Sequence, residues 1–320
     1  MERRRIVKSG NTSYTFAMPI EWIRKNKLEK GNLIEVSENE VGDLIISPDN
    51  KEKISFENKI LTIKTDEKDM DTIYFEILNA YFRDYQTIIL EGKKIAKISD
   101  KIILQMKSLI GLDVIDQTKD SIVIKNFSSE DKELFPRALI KKMNFGIIEM
   151  FDLLFNFFKL GFSKDNFFEL QKVKEQNERI YFLMRKIILK GIENPALIKT
   201  FQTTYHQLSK DKIISSILNN LSYLLESIGK SFLYLEHTKK DIIFLKKSFK
   251  SVEEEYRIII SAMKYKNYSD IYKIISKYDQ SISEIKLNRK GFKNPLTLET
   301  MTYILVIKNM LNRLAFEIIE

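Results

Sequence analysis

Ile214, Leu218, Leu221, Leu225, Ile228, Phe232 and Leu235 follow one another at alternating spacings of four and three residues. A second series, Ile304, Ile307, Leu311, Leu314 and Ile318, does the same near the C-terminus. That alternation places every apolar side chain on one stripe of a helix, and such stripes bury themselves against other helices at shallow angles. The chain has only 10 Gly and 5 Pro in 320 residues, so little interrupts long helices. Residues 128–320 therefore read as a helical domain, with helices near 131–160, 165–191, 211–245, 248–266, 269–288 and 296–319 and a shorter one near 196–208. Breaks fall at Gly161 and at two Gly-x-x-Asn-Pro segments, Gly191–Pro195 and Gly291–Pro295. Their recurrence suggests a three-helix unit used twice.

The first 48 residues follow a different rule. Arg3 to Lys8 can form a strand, Ser9-Gly10-Asn11 a turn and Ser13 to Met18 a second strand. Pro19 suits the first position of a short helix that contains Trp22 and is closed by Lys30-Gly31. Leu33 to Val36 and Leu44 to Ile46 make a further strand pair. This segment, 1–48, holds too few apolar residues for an independent core, so a second copy of itself is the expected complement. Residues 49–127 read as a small α/β segment. Its helices lie over Asp69–Asp84 and Lys94–Leu109, with a strand at Thr87–Leu90, a hairpin about Lys119-Asp120 and a polar linker at Asn126–Asp131.

Charge separates these parts. The net charge is +9, and residues 1–32 carry eight basic side chains against three acidic ones, more than half of the excess in a tenth of the chain. The remainder reads as charge-mixed. Arg3, Arg4, Arg5 and Lys8 beside a Gly turn point to phosphate contact rather than to a solvated tip. Asn11 and Ser13 are turn residues that could also reach DNA, and Arg24 and Lys25 add charge at the end of the short helix. Trp22, in an aliphatic helical setting, reads as packing rather than base stacking.

Several chemistries are excluded or disfavoured. Without cysteine there is no disulfide and no thiolate zinc site. The two histidines, His206 and His237, stand far apart and read as helix-surface residues. No Gly-rich phosphate loop, Gly-x-Ser-x-Gly or His-Glu-x-x-His occurs, so an enzyme is not expected. No run approaches the ~20 apolar residues of a membrane span, and no apolar leader follows the basic start. A cytoplasmic protein without membrane insertion is the expectation.

Two resemblances add to this reading. The run from Arg5 through Ser9-Gly10-Asn11 and Ser13-Tyr14 to Pro19-Ile20-Glu21-Trp22, followed by Lys30-Gly31 and two strands, resembles the AbrB/SpoVT swapped-hairpin DNA-binding domain. It looks closest to the version joined to archaeal PhoU-like proteins. Ile23 departs from a position that is usually basic there, and Lys25 can substitute. Asn177–Arg185 and Asn220–Gly229 resemble the PhoU phosphate-uptake regulators, whose architecture is a pair of three-helix bundles. Together they imply a homodimeric DNA-binding regulator of phosphate uptake. An interaction protein that binds a phosphate transporter without specific DNA binding is the alternative.

The second resemblance also implies a divalent or iron cluster held by Glu/Asp-x-x-x-Asp pairs. Here Glu226 is followed at that spacing by Lys230 and Asn312 by Phe316, so no cofactor is expected. The remaining acidic pairs, Glu67/Asp71 and Asp165/Glu169, lie at helix starts, where the dipole accounts for them. Glu149, Asp152 and Glu226 are left either to hold a metal or to meet lysines and solvent.

Overall fold

The computed structural model describes residues 3–38, 42–48, 59–127, 135–161, 163–193, 195–234 and 238–319. The chain falls into two compact units, 1–58 and 59–320.

The first unit contains two small antiparallel hairpins and a short helix. Strands β1 (Val7–Lys8) and β2 (Tyr14–Thr15) pair through Val7↔Thr15 and Lys8↔Tyr14. Helix α1 (Ile20–Lys25) follows, and then β3 (Ile34–Glu38) and β4 (Leu44–Pro48) pair along their whole length. The first two strands are much shorter than the spans 3–8 and 13–18 read from the sequence. Pro19 stands at the N-cap with an extended ψ of 125°, one position before the expected one. No described side chain between residues 3 and 48 is buried.

The second unit opens with an α/β layer. It runs β5 (Ile60–Lys64), α2 (Met70–Phe82), β6 (Thr87–Glu91), α3 (Ile95–Met106), β7 (Leu112–Gln117) and β8 (Ser121–Asn126). The sheet order is β5-β6-β8-β7, with β5 and β6 parallel and the other pairs antiparallel. Period-two alternation puts Ile63, Ile88, Leu90, Ile122 and Ile124 on one face, which is buried. Ile73, Ile77 and Tyr81 of α2 and Ile95, Ile102 and Met106 of α3 share this core. Each such fully buried aliphatic side chain contributes about 1.5–3 kcal/mol. Asn126, expected to open a linker, is instead the buried last residue of β8; residues 128–134 lie outside the described residues.

Helices make up the rest: α4 (Pro136–Leu160), α5 (Lys164–Glu193), the short α6 (Pro195–Thr200), α7 (Tyr205–Leu233), α8 (Lys239–Tyr265), α9 (Ser269–Arg289) and α10 (Pro295–Ile319). The single helix expected over 211–245 is in fact two. α7 stops at Leu233, and α8 starts afresh from a capping box in which Thr238 and Asp241 bond each other's backbone N–H. α4, α5 and α7 pack on one another, α8, α9 and α10 do likewise, and α7 against α10 joins the two sets. The two Gly-x-x-Asn-Pro segments precede α6 and α10, that is, they follow the second long helix of each set. One continuous core runs through all six long helices.

α5 belongs to both cores. Leu170, Met184 and Ile187 face the other helices, whereas Phe182 and Leu189 pack on the α/β core. Phe182 meets Phe82 of α2 with ring centroids 6.0 Å apart.

Candidate nucleic-acid interface

Backbone geometry at the first hairpin is set by Gly10, whose φ of +85° is readily available only to glycine. The turn is closed by the Ser9 N–H donating to the Ser13 carbonyl at 2.8 Å, and the Ser13 hydroxyl donates back to the Ser9 carbonyl. Ser13 is therefore committed to the turn through its hydroxyl, and Asn11 sits exposed within it. Lys8 lies on β1, and Arg3, Arg4 and Arg5 occupy the exposed segment leading into that strand. The hairpin thus gathers six of the eight residues named from the sequence.

Arg24 and Lys25 are carried by a different element, the last turn of α1, where both are exposed. Cations there also complement the negative end of the helix dipole, so the helix gains from them with or without a ligand. Trp22 and Ile23 are half-buried on the same helix, and the Trp22 carbonyl accepts from the Asn26 side-chain amide at 2.8 Å.

The acidic positions do not converge. Glu226 accepts a hydrogen bond from Gln171 at 3.1 Å, with Lys230 exposed beyond it. Asp152 pairs with Arg257 at 3.0 Å, and Glu149 is exposed. Asp71 and Asp165 occupy the first turns of α2 and α5. Asn312 keeps a buried side-chain oxygen without a hydrogen-bond partner among the described residues. Among those residues no three acidic or histidine side chains come together as a metal site, so the residues present do not fit a resident cluster. His206 is exposed on α7; His237 lies outside the described residues.

Sequence reasoning missed a buried polar network where α5 meets the α/β layer. Asp84, with a left-handed φ of +56°, faces Lys186 Nζ at 3.2 Å and Lys190 Nζ at 2.5 Å. Asn126 accepts from Lys186 at 2.8 Å and donates to the Tyr85 carbonyl at 3.0 Å. Burial pushes the Lys186 ammonium below its ordinary pKa, and Asp84 pulls in the opposite direction. These bonded partners lie at least 41 residues apart, so no local pattern announces them. Their arrangement ties α5 to the α/β layer.

Comparisons of the chain with protein families, with curated proteins and with solved structures find no match. Among the described residues, no helix is long and apolar enough to cross a membrane.

Proposed function

We propose that this chain is a homodimeric DNA-binding transcriptional regulator of phosphate uptake, with the basic hairpin as its DNA-contacting tip. One observation carries the reading. Among its described residues the first unit has no buried side chain, yet ten large apolar residues from Ile6 to Ile45 stand exposed beside a dense set of arginines and lysines. Apolar surface of that kind calls for a second copy, and pairing two copies doubles the cationic surface. The AbrB/SpoVT-like order of parts over residues 5–46 supports DNA as the partner. The phosphate-uptake context is supported by the PhoU-like segments 177–185 and 220–229. The helical unit then serves as sensor or relay.

Binding of this sort is driven by counterion release, so its affinity falls steeply with salt. The test is a mobility shift of the full chain against Arg3→Ala/Arg5→Ala/Lys8→Ala, over a salt series. The variant is expected to bind more weakly, with a slope of log K against log salt shallower by about three to six for a dimer. Unchanged affinity and slope would sink the role of this tip. Preference for fragments upstream of phosphate-transport genes over unrelated duplexes of equal length tests the pathway.

A further inference from the structure

A second concentration of positive charge appears only once the chain is folded. α8 and α9 form a helical hairpin that brings the start of one beside the end of the other, as the Lys247–Glu284 pair at 3.3 Å records. Residues 238–247 and 284–293 together hold eight basic side chains and two acidic ones, a net +6. One of the two acids, Asp241, is buried and committed to the capping box. The basic residues at the end of α9 have a bland explanation, because they complement the helix dipole. The dipole does not explain Lys239 and Lys240. They are the first two residues of α8, the positive end of its dipole, where cations are disfavoured.

Between these charges lies an open groove of about 610 Å³. Phe292, buried, packs against Phe244 with centroids 5.0 Å apart, and Lys240 Nζ stands 5.3 Å from the Phe292 ring centre. The flanking Ile243 and Leu287 are 62% and 70% exposed, an unfavourable placement for large aliphatic residues in water.

We infer that this groove docks an acidic amphipathic helix of a partner protein, its apolar anchors seated between Ile243 and Leu287 and its carboxylates against Lys239, Lys240 and Lys247. Each locally unfavourable choice, cations at a helix start and exposed aliphatics beside them, becomes favourable with that occupant. An acidic amphipathic helix matches both features at once, with apolar anchors for the exposed aliphatics and carboxylates for the lysines around them. The inference stands apart from DNA binding, because the two surfaces belong to different units of the chain.

The experiment is fluorescence anisotropy of the full chain with a labelled synthetic peptide of about 16 residues, Leu at i, i+3, i+4 and i+7 and Glu at most other positions. A scrambled peptide of the same composition is the control. The ordered peptide is expected to bind with a Kd on the order of 10 µM, at least ten-fold tighter than the scrambled one. Ile243→Ser/Leu287→Ser and Lys239→Glu/Lys240→Glu should each weaken it about ten-fold or more, with circular dichroism confirming an intact helical fold. Equal binding of both peptides, or undiminished binding by both folded variants, overturns the proposal. Phosphatidylglycerol vesicles and duplex DNA are run alongside. If either of these, and not the peptide, loses affinity in the Ile243→Ser/Leu287→Ser variant, the surface belongs to that ligand and the proposal fails. Arg3→Ala/Arg5→Ala/Lys8→Ala must leave peptide binding unchanged, which keeps this result separable from the DNA test.

Discussion

Asp211 of α7 is 2% exposed, takes one hydrogen bond from Gln207 at 2.8 Å and leaves its other oxygen without a partner among the described residues. Burial pushes its carboxyl above the ordinary value, outweighing the Gln207 bond and the Arg137 and Lys210 charges. A carboxyl whose pKa is raised on folding lends stability that is fully present below the unfolded value of ~4 and lost as pH rises through the folded value. Asp211→Asn should therefore stabilise the chain at pH 7 by on the order of 1 kcal/mol and make no gain at pH 3. Chemical denaturation at the two pH values reads this directly. A gain of equal size at both would assign the effect to packing instead.

Lys186 offers the converse case. Lys186→Met leaves Asp84 buried with Lys190 alone, and should cost about 2 kcal/mol, below the usual penalty for breaking a buried pair because one cation remains. Adding Asp84→Asn should recover part of that loss, a coupling measurable by a double-mutant cycle. Gly111 is limited in a third way. Its φ is +91°, and a Cβ there would stand 2.7 Å from the Phe127 carbonyl oxygen, so Gly111→Ala should destabilise by about 2 kcal/mol or more.

Among the elements, α7 is the helix of the first set that packs on α10 of the second, and its start is fixed by the Thr204 hydroxyl accepting from the Gln207 N–H at 3.0 Å. Thr204→Ala should cost about 1 kcal/mol of unfolding free energy. Elements with one dominant periodic face were legible from the sequence. The α2 seam of Ile73, Ile77 and Tyr81 is almost wholly buried, and the hairpin about Lys119-Asp120 falls between β7 and β8. The α7–α8 break was hidden because the four-three spacing continues through Leu235, and continuity of an apolar stripe does not require continuity of a helix. The contrary signal, Thr238 followed three residues later by Asp241, is local and was present. The basic end of the α8–α9 hairpin was concealed differently, since its two halves are some forty residues apart and each looks charge-mixed within its own helix. The N-terminal basic cluster was visible because its charges are contiguous. Only its strands were overestimated, since alternating residues in an unburied hairpin have little to extend them.

For the whole molecule, the two units differ in what holds them. Residues 59–320 enclose two hydrophobic cores, whereas the first unit encloses none among its described residues. A fragment starting at residue 59 is expected to keep its helical circular dichroism and a cooperative melt. In analytical ultracentrifugation that fragment should sediment as a monomer and the full chain as a dimer. A dimeric fragment would move the self-association to the helical unit.

The double allegiance of α5 also limits how this chain can change length. Inserting one residue between Leu170 and Phe182 would turn the Leu170 end of the bundle seam about 100° out of phase with the end that carries Met184, Ile187 and the sheet-facing Lys186. Only insertions near seven residues restore the phase, and those move Lys186, with the Asp84 side of the α/β layer docked on it, about 10 Å along the axis from Leu170. Length drift along this helix is thereby forbidden at nearly every step, and the spacing between Leu170 and Lys186 should stay fixed in any related chain that keeps both cores.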